Sequence, residues 1–242
     1  EHVEHWLASL GEAGRSAHTQ RDYAVWLRQW FKWLVEEGEM RVSPMERVAL
    51  PAIDEVDKDV VSAQEMKRTL ANLEKAKNWR DLAIVALLFD TGMRASELCS
   101  VATEDVNLGT GVIRLHGEST KGRFGCFVAL SETCVRHLDR YLRRRTDSEP
   151  WLFLNRQGKQ LSRSSLYYIV TKHFGSTGML IGPHDLRHTS ASHVAADMSE
   201  TSMMTLFGWR DPAMVRRYTR QVHEANAIEA HRKASPLDRL GR

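Results

Sequence analysis

The sequence predicts a mainly α-helical protein carrying one small antiparallel β-sheet. Apolar residues recur at helical spacing along most of the chain, as in Tyr23, Trp26, Leu27, Trp30, Phe31 and Leu34, the period of a helix with one buried face. Only two short runs, 111–116 (Gly-Val-Ile-Arg-Leu-His) and 124–130 (Phe-Gly-Cys-Phe-Val-Ala-Leu), have strand character, and a polar turn separates them. With 15 glycines and 6 prolines in 242 residues, helix breakers are sparse, and neither disorder nor a collagen-like repeat fits.

Each element has a local cause. His2–Leu10 reads as a short helix ending near Gly11 and Gly14, and a longer one runs from Ser16 to Gly38. Its aromatic residues, with Trp6, read as a core stripe packing against the rest of the protein. Pro44, Pro51 and a run of carboxylates up to Asp59 suggest a linker. The organisation expected is a helical segment over 1–52, a linker over 53–61 and a larger domain over 62–242. Ser62-Ala-Gln-Glu65 is a capping box that starts a helix running to about Ala76. Asp81–Phe89 is apolar nearly all round, which marks a buried helix. A basic helix is expected over Arg136–Arg145, and a last one over His223–Lys233. No internal repeat is visible.

Charge and cysteine usage narrow the function classes. The longest apolar stretch, Leu82–Phe89, is far too short to span a bilayer, so no membrane partner is expected. Cys99, Cys126 and Cys134 are odd in number and lack metal-site spacing, which favours a reducing, cytoplasmic compartment. The net charge is only +3, but it divides into −6 over residues 1–110 and +9 over 111–242. Arginine makes up 25 of the 34 basic residues, and its planar fork suits phosphate.

Three constellations could carry chemistry. In His184-Asp-Leu-Arg-His188 the histidines have metal-ligand spacing, but Asp185 stands where a zinc protease needs Glu, and Arg187 would repel a metal. His188 and His193 therefore read as structural. His184 and Arg187 are three apart, and Pro183 suits a first helical turn, where an anion sits well. In Thr91-Gly-Met-Arg94-Ala-Ser-Glu97, an arginine emerges where the buried helix breaks, with a carboxylate one turn on. In Gly208-Trp209 to Arg220, Tyr218 is flanked by Arg216, Arg217 and Arg220, and nearby positive charge favours its phenolate.

Arg94, Lys121 in the hairpin turn, His184 with Arg187 three on, then Trp209 and Tyr218 nine later resemble, in order and interval, the tyrosine recombinase (phage integrase) family. The resemblance covers about Ser62 to Arg220. It implies a catalytic domain over 62–242 with a C-terminal tail, preceded by a short helical core-binding segment that is reduced or truncated relative to the family's DNA clamp. It also implies site-specific cleavage and rejoining of double-stranded DNA through a 3′-phosphotyrosyl intermediate, without metal or other cofactor. Arg94 and Arg187 would clamp the phosphate, Tyr218 would attack it, and His184 would assist proton transfer. Lys121 would protonate the leaving 5′ oxygen, Trp209 would support the phosphate, and Glu97 would orient Arg94. The family's use of the C-terminal segment implies a homotetramer assembled by tail exchange. A type IB topoisomerase, a non-catalytic DNA-binding regulator on the same fold, and a zinc protease built on His184 and His188 are the rival readings.

Overall fold

The computed structural model describes residues 2–52, 61–117, 126–175 and 180–234. Lys121, most of the 53–61 linker and the tail beyond 234 lie outside the described residues. The chain divides into two compact units, Glu1–Lys58 and Asp59–Arg242.

The first unit is a helical hairpin of α1 (His2–Glu12) and α2 (Ala17–Glu36). The Ser16 hydroxyl starts α2 by accepting the Thr19 amide, the usual service of a serine N-cap. Leu7, Ala24, Met45 and Val48 form a small core, with Leu27, Phe31 and Leu50 packed on it. Arg28 donates to the Val48 carbonyl at 2.6 Å and Arg21 to the Pro51 carbonyl at 2.8 Å, which ties the following segment to α2. The expected aromatic stripe is not part of this unit's own core. Trp26 is 60% exposed, Trp30 53% and Trp33 50%, and Trp6 and Tyr23 are exposed too. The reason is the width of the apolar surface: Ala24, Leu27 and Phe31 already occupy the face turned to the small core, so residues on the adjacent face stay outside.

The second unit is built around α4 (Trp79–Thr91), whose Leu82, Ala83, Ile84, Val85, Leu87 and Leu88 are all buried. Packed on it are α3 (Ala63–Lys75), which begins with the Ser62–Glu65 capping box, and α6 (Glu132–Leu142). The short α5 (Ala95–Ser100) leads into a three-stranded antiparallel sheet of β1 (Val106–Asn107), β2 (Val112–Leu115) and β3 (Cys126–Ala129), in that order. Ile113 pairs with Val128, and both side chains are buried in the core. Then follow α7 (Arg163–Phe174), α8 (Pro183–Val194), α9 (Glu200–Phe207) and α10 (Pro212–Ala234).

Three boundaries differ from the sequence reading. β1 is only two residues long, too short to show alternation. α6 starts at Glu132 because the Ser131 hydroxyl accepts the Cys134 amide. The expected separate helix over His223–Lys233 is the continuation of α10, which runs through Tyr218; no Gly or Pro stands between Ala213 and Ala234 to interrupt it. Among the described residues, no helix is long and apolar enough to cross a membrane.

Candidate active site

The site begins where α4 stops. Gly92 ends that helix in the left-handed region at φ 58°, a conformation glycine adopts without steric cost. The Thr91 hydroxyl donates back to the Leu87 carbonyl at 2.7 Å and accepts the Met93 amide at 3.2 Å, which sets the turn. Arg94 is thereby placed just ahead of α5. The buried Glu97 carboxylate holds it twice, accepting the Arg94 amide through Oε2 and Arg94 Nη1 through Oε1, both at 2.7 Å.

Arg187 comes from the second turn of α8. That helix starts at Pro183, and Asp185 caps it by accepting the Gly182 amide at 2.9 Å. This local duty of Asp185 also removes it from the role of a protease base. Arg187 is buried. Its Nη1 donates to the Gly92 carbonyl at 2.7 Å and its Nη2 to the Phe207 carbonyl. Those carbonyls close α4 and α9, so two helix C-termini, each with partial negative charge, point at one guanidinium. Burial, and next the cation of Arg94, bring Arg187 down to about 10, opposed by Glu97 and Tyr218. It stays charged at neutral pH.

Gly208, at φ 57°, ends α9 and releases Trp209 toward the same place. Arg94, Glu97, Cys126, Arg187, Trp209 and Arg210 are among the residues lining one cleft of about 230 Å³. Behind Trp209 lies Tyr218, only 8% exposed. Its ring stacks on Trp209 at 5.1 Å and 7°, and meets the His188 ring at 4.6 Å and 59°. Phe207 extends the stack, lying 4.7 Å from Trp209 at 17°.

The structure therefore brings Arg94, Glu97, Arg187 and Trp209 to one cleft and sets Tyr218 against Trp209. His184 is exposed in the first turn of α8, whereas Arg187 one turn later is buried. Lys121 lies outside the described residues. The expectation that neighbouring arginines favour the Tyr218 phenolate is reversed: burial raises the phenol above its ordinary value, outweighing Arg217 and Arg187. His193 is structural, its Nε2 lying 3.2 Å from the Val61 carbonyl and its ring edge-on to Phe89. His188, read as structural, is in ring contact with the candidate nucleophile. Phe207 escaped sequence reasoning because one Phe on an apolar helix face carries no chemical signal. Among the described residues, no cluster of His, Cys, Asp or Glu could hold a metal ion.

Two guanidinium groups line this cleft and a phenol is stacked on its Trp209 wall, an arrangement suited to an anion with a nucleophile close by. The Glu97 carboxylate offsets only part of that charge. Residues 59–224 match the phage integrase family. The chain is 31% identical to the tyrosine recombinase XerC of Pelobacter propionicus, over 99% of this chain and 82% of that protein. It is 30% identical to the tyrosine recombinase XerA of Pyrococcus furiosus, over 97% and 80%. Its fold is similar to that of the XerH site-specific recombinase solved on its difH substrate before cleavage, with a TM-score of 0.67 and 21% identity over 93% of this chain and 68% of that one.

Proposed function

The chain belongs to the phage integrase family, the tyrosine-type site-specific DNA recombinases, and on that premise we propose that it breaks and rejoins duplex DNA through a 3′-phosphotyrosyl bond to Tyr218. The observation that carries the proposal is the placing of Arg94 and Arg187 on one cleft, with Tyr218 stacked behind Trp209.

The chemistry follows from the phosphodiester. Its non-bridging oxygens gain negative charge as a fifth oxygen approaches phosphorus, and fixed cations aimed at them lower that barrier most. Arg94 and Arg187 supply two planar forks. The main-chain carbonyls on Arg187 and the carboxylate on Arg94 hold each in place before DNA arrives. The Tyr218 oxygen attacks phosphorus, its proton passes to a base in which His184 takes part, and the 5′ oxygen leaves with a proton from Lys121. Trp209 supports the phosphate through its indole. One phosphoester replaces another, so the bond energy is kept, and a 5′ hydroxyl from another strand reverses the step.

Double-stranded DNA is the partner in this reading, and the cytoplasm of the cell holding that DNA is the compartment. A homotetramer on two duplexes belongs to it as well: α10 continues to Ala234 beyond Tyr218 and exposes Ile228, a surface suited to a neighbouring protomer. Sedimentation that finds only monomers on saturated DNA overturns the tetramer.

The test of the function is covalent trapping on nicked duplexes drawn from a random-sequence pool. The wild-type chain is expected to form adducts on a defined sequence. Tyr218→Phe should form none while binding the recovered duplex with unchanged affinity. Adducts persisting in that variant refute Tyr218 as nucleophile.

A further inference from the structure

Phe207 touches both halves of the site. Its main-chain carbonyl accepts Arg187 Nη2, and its ring lies 5.4 Å from the Arg187 guanidinium carbon. The same ring stacks on Trp209, which in turn stacks on Tyr218 and lies 5.7 Å from that guanidinium carbon. An edge of the Phe207 ring also lies close against Gly92, whose carbonyl is the other acceptor for Arg187: a Cβ built on Gly92 would sit 2.3 Å from Phe207 Cε1. The ring is buried, with 2% of its surface exposed, so it cannot turn aside without moving one of these neighbours.

We propose that Phe207 is a positioning residue that couples the phosphate clamp to the nucleophile, by fixing the Trp209 indole face-on to Tyr218 while its own carbonyl docks Arg187. This rests on the recombinase reading above. A ring filling the core elsewhere would contribute volume alone. Here the flat face matters, because a stack sets both the separation and the tilt of the next ring. A branched aliphatic side chain fills much of the same space but lets the indole rotate. The carbonyl contact to Arg187 belongs to the main chain and survives a side-chain change, so Phe207→Leu separates the stacking role from the docking role.

The experiment is a double-mutant cycle on the duplex recovered by covalent trapping, using the full chain. Phe207→Leu, Trp209→Leu and the double variant are compared for thermal unfolding, DNA affinity and the single-turnover rate of adduct formation at saturating DNA. In the wild-type background Phe207→Leu is expected to slow adduct formation roughly tenfold, the upper range of what one aromatic stack contributes. DNA affinity should change less than about twofold, the clamp and its main-chain acceptors being retained. In the Trp209→Leu background, where the stacking partner is gone, the same substitution should cost no more than about twofold. Equal losses in both backgrounds make Phe207 a packing residue and overturn the inference, as does an unchanged rate in the single variant. If the wild-type chain itself forms no adduct, the recombinase reading fails and the inference falls with it. If Phe207→Leu does not fold, Phe207→Met, which keeps an apolar side chain without the ring, is carried through the same cycle.

Discussion

Arg187→Lys keeps the positive charge and removes the fork, which isolates what the geometry of this site contributes. In the wild-type chain two terminal nitrogens are docked on the Gly92 and Phe207 carbonyls, and the remaining N–H groups of the guanidinium stay available to a phosphate. One ammonium on a shorter arm cannot reach two carbonyls and a phosphate together. Hydrogen bonds to a charged group are worth about 1.5–3 kcal/mol each, so loss of one dock lowers stability by about that much. For a domain of this size that is a fall in melting temperature of roughly 3–12 °C. The larger effect is on rate, because a preorganised donor to transition-state charge is worth about 100- to 1000-fold. Covalent trapping at saturating DNA and at a temperature well below the melting point of the variant measures it. The reasoning is refuted if Arg187→Lys cleaves within about tenfold of the wild-type rate, since charge alone would then suffice.

Other expected outcomes follow from the same geometry. Gly92→Ala meets both left-handed backbone and the Phe207 ring, and should destabilise by about 2–5 kcal/mol; Gly158→Ala, at φ 73° with no atom within 4 Å, should cost only about 1 kcal/mol by the same melting assay. The buried Ser190 hydroxyl has no hydrogen-bond partner among the described residues, so Ser190→Ala should leave the melting temperature unchanged or raise it. Burial works against the Asp81 carboxylate, but the hydrogen bond with His173 and the charge and hydrogen bonds of Arg80 outweigh it and hold it down to about 2; the stability it contributes, roughly 2.5 kcal/mol at most, is present above its ordinary value of 3.8 and lost as pH falls toward about 2. Melting followed across that window should fall more steeply for the wild-type chain than for Asp81→Asn, and parallel slopes would count against the assignment.

Periodicity and caps make α2, α3 and α4 readable from sequence, because each is set by residues within a few positions of one another. The break at Gly92 is readable for the same reason, as is the arginine that follows it. What sequence does not carry is how much of an apolar face will be covered: α2 has the spacing of a buried helix, yet the small core of its unit takes in Ala24, Leu27 and Phe31 and leaves Trp26 and Trp30 outside. The electrostatics of Tyr218 are hidden likewise. Arg216, Arg217 and Arg220 suggest an acidified phenol, but the sign depends on burial, which places the ring against Trp209 and His188 and reverses it. The order and intervals of Arg94, Arg187 and Trp209 are linear information, whereas Phe207 joins them only through three-dimensional stacking.

The two arginines proposed to clamp the phosphate are held by different chemistry, and the difference bears on how much charge each would present to it. Arg94 is tied by the Glu97 carboxylate, a full opposite charge at 2.7 Å, so much of its field is neutralised locally and its main gain is orientation. Arg187 is tied by the last carbonyls of α4 and α9, each standing for about half a charge spread over a helix end. Those dipoles fix the fork without a mobile anion that would have to be displaced. Burial then raises the value of the remaining charge, since field lines in a less polar surrounding are screened less, and depressing Arg187 only to about 10 leaves it protonated throughout the physiological range. This is why a net charge of +3, and the location of Arg94 in the acidic half of the chain, say little about such a site: part of its cationic strength lies in a buried guanidinium hydrogen-bonded to backbone carbonyls, which no count of carboxylates and amines detects.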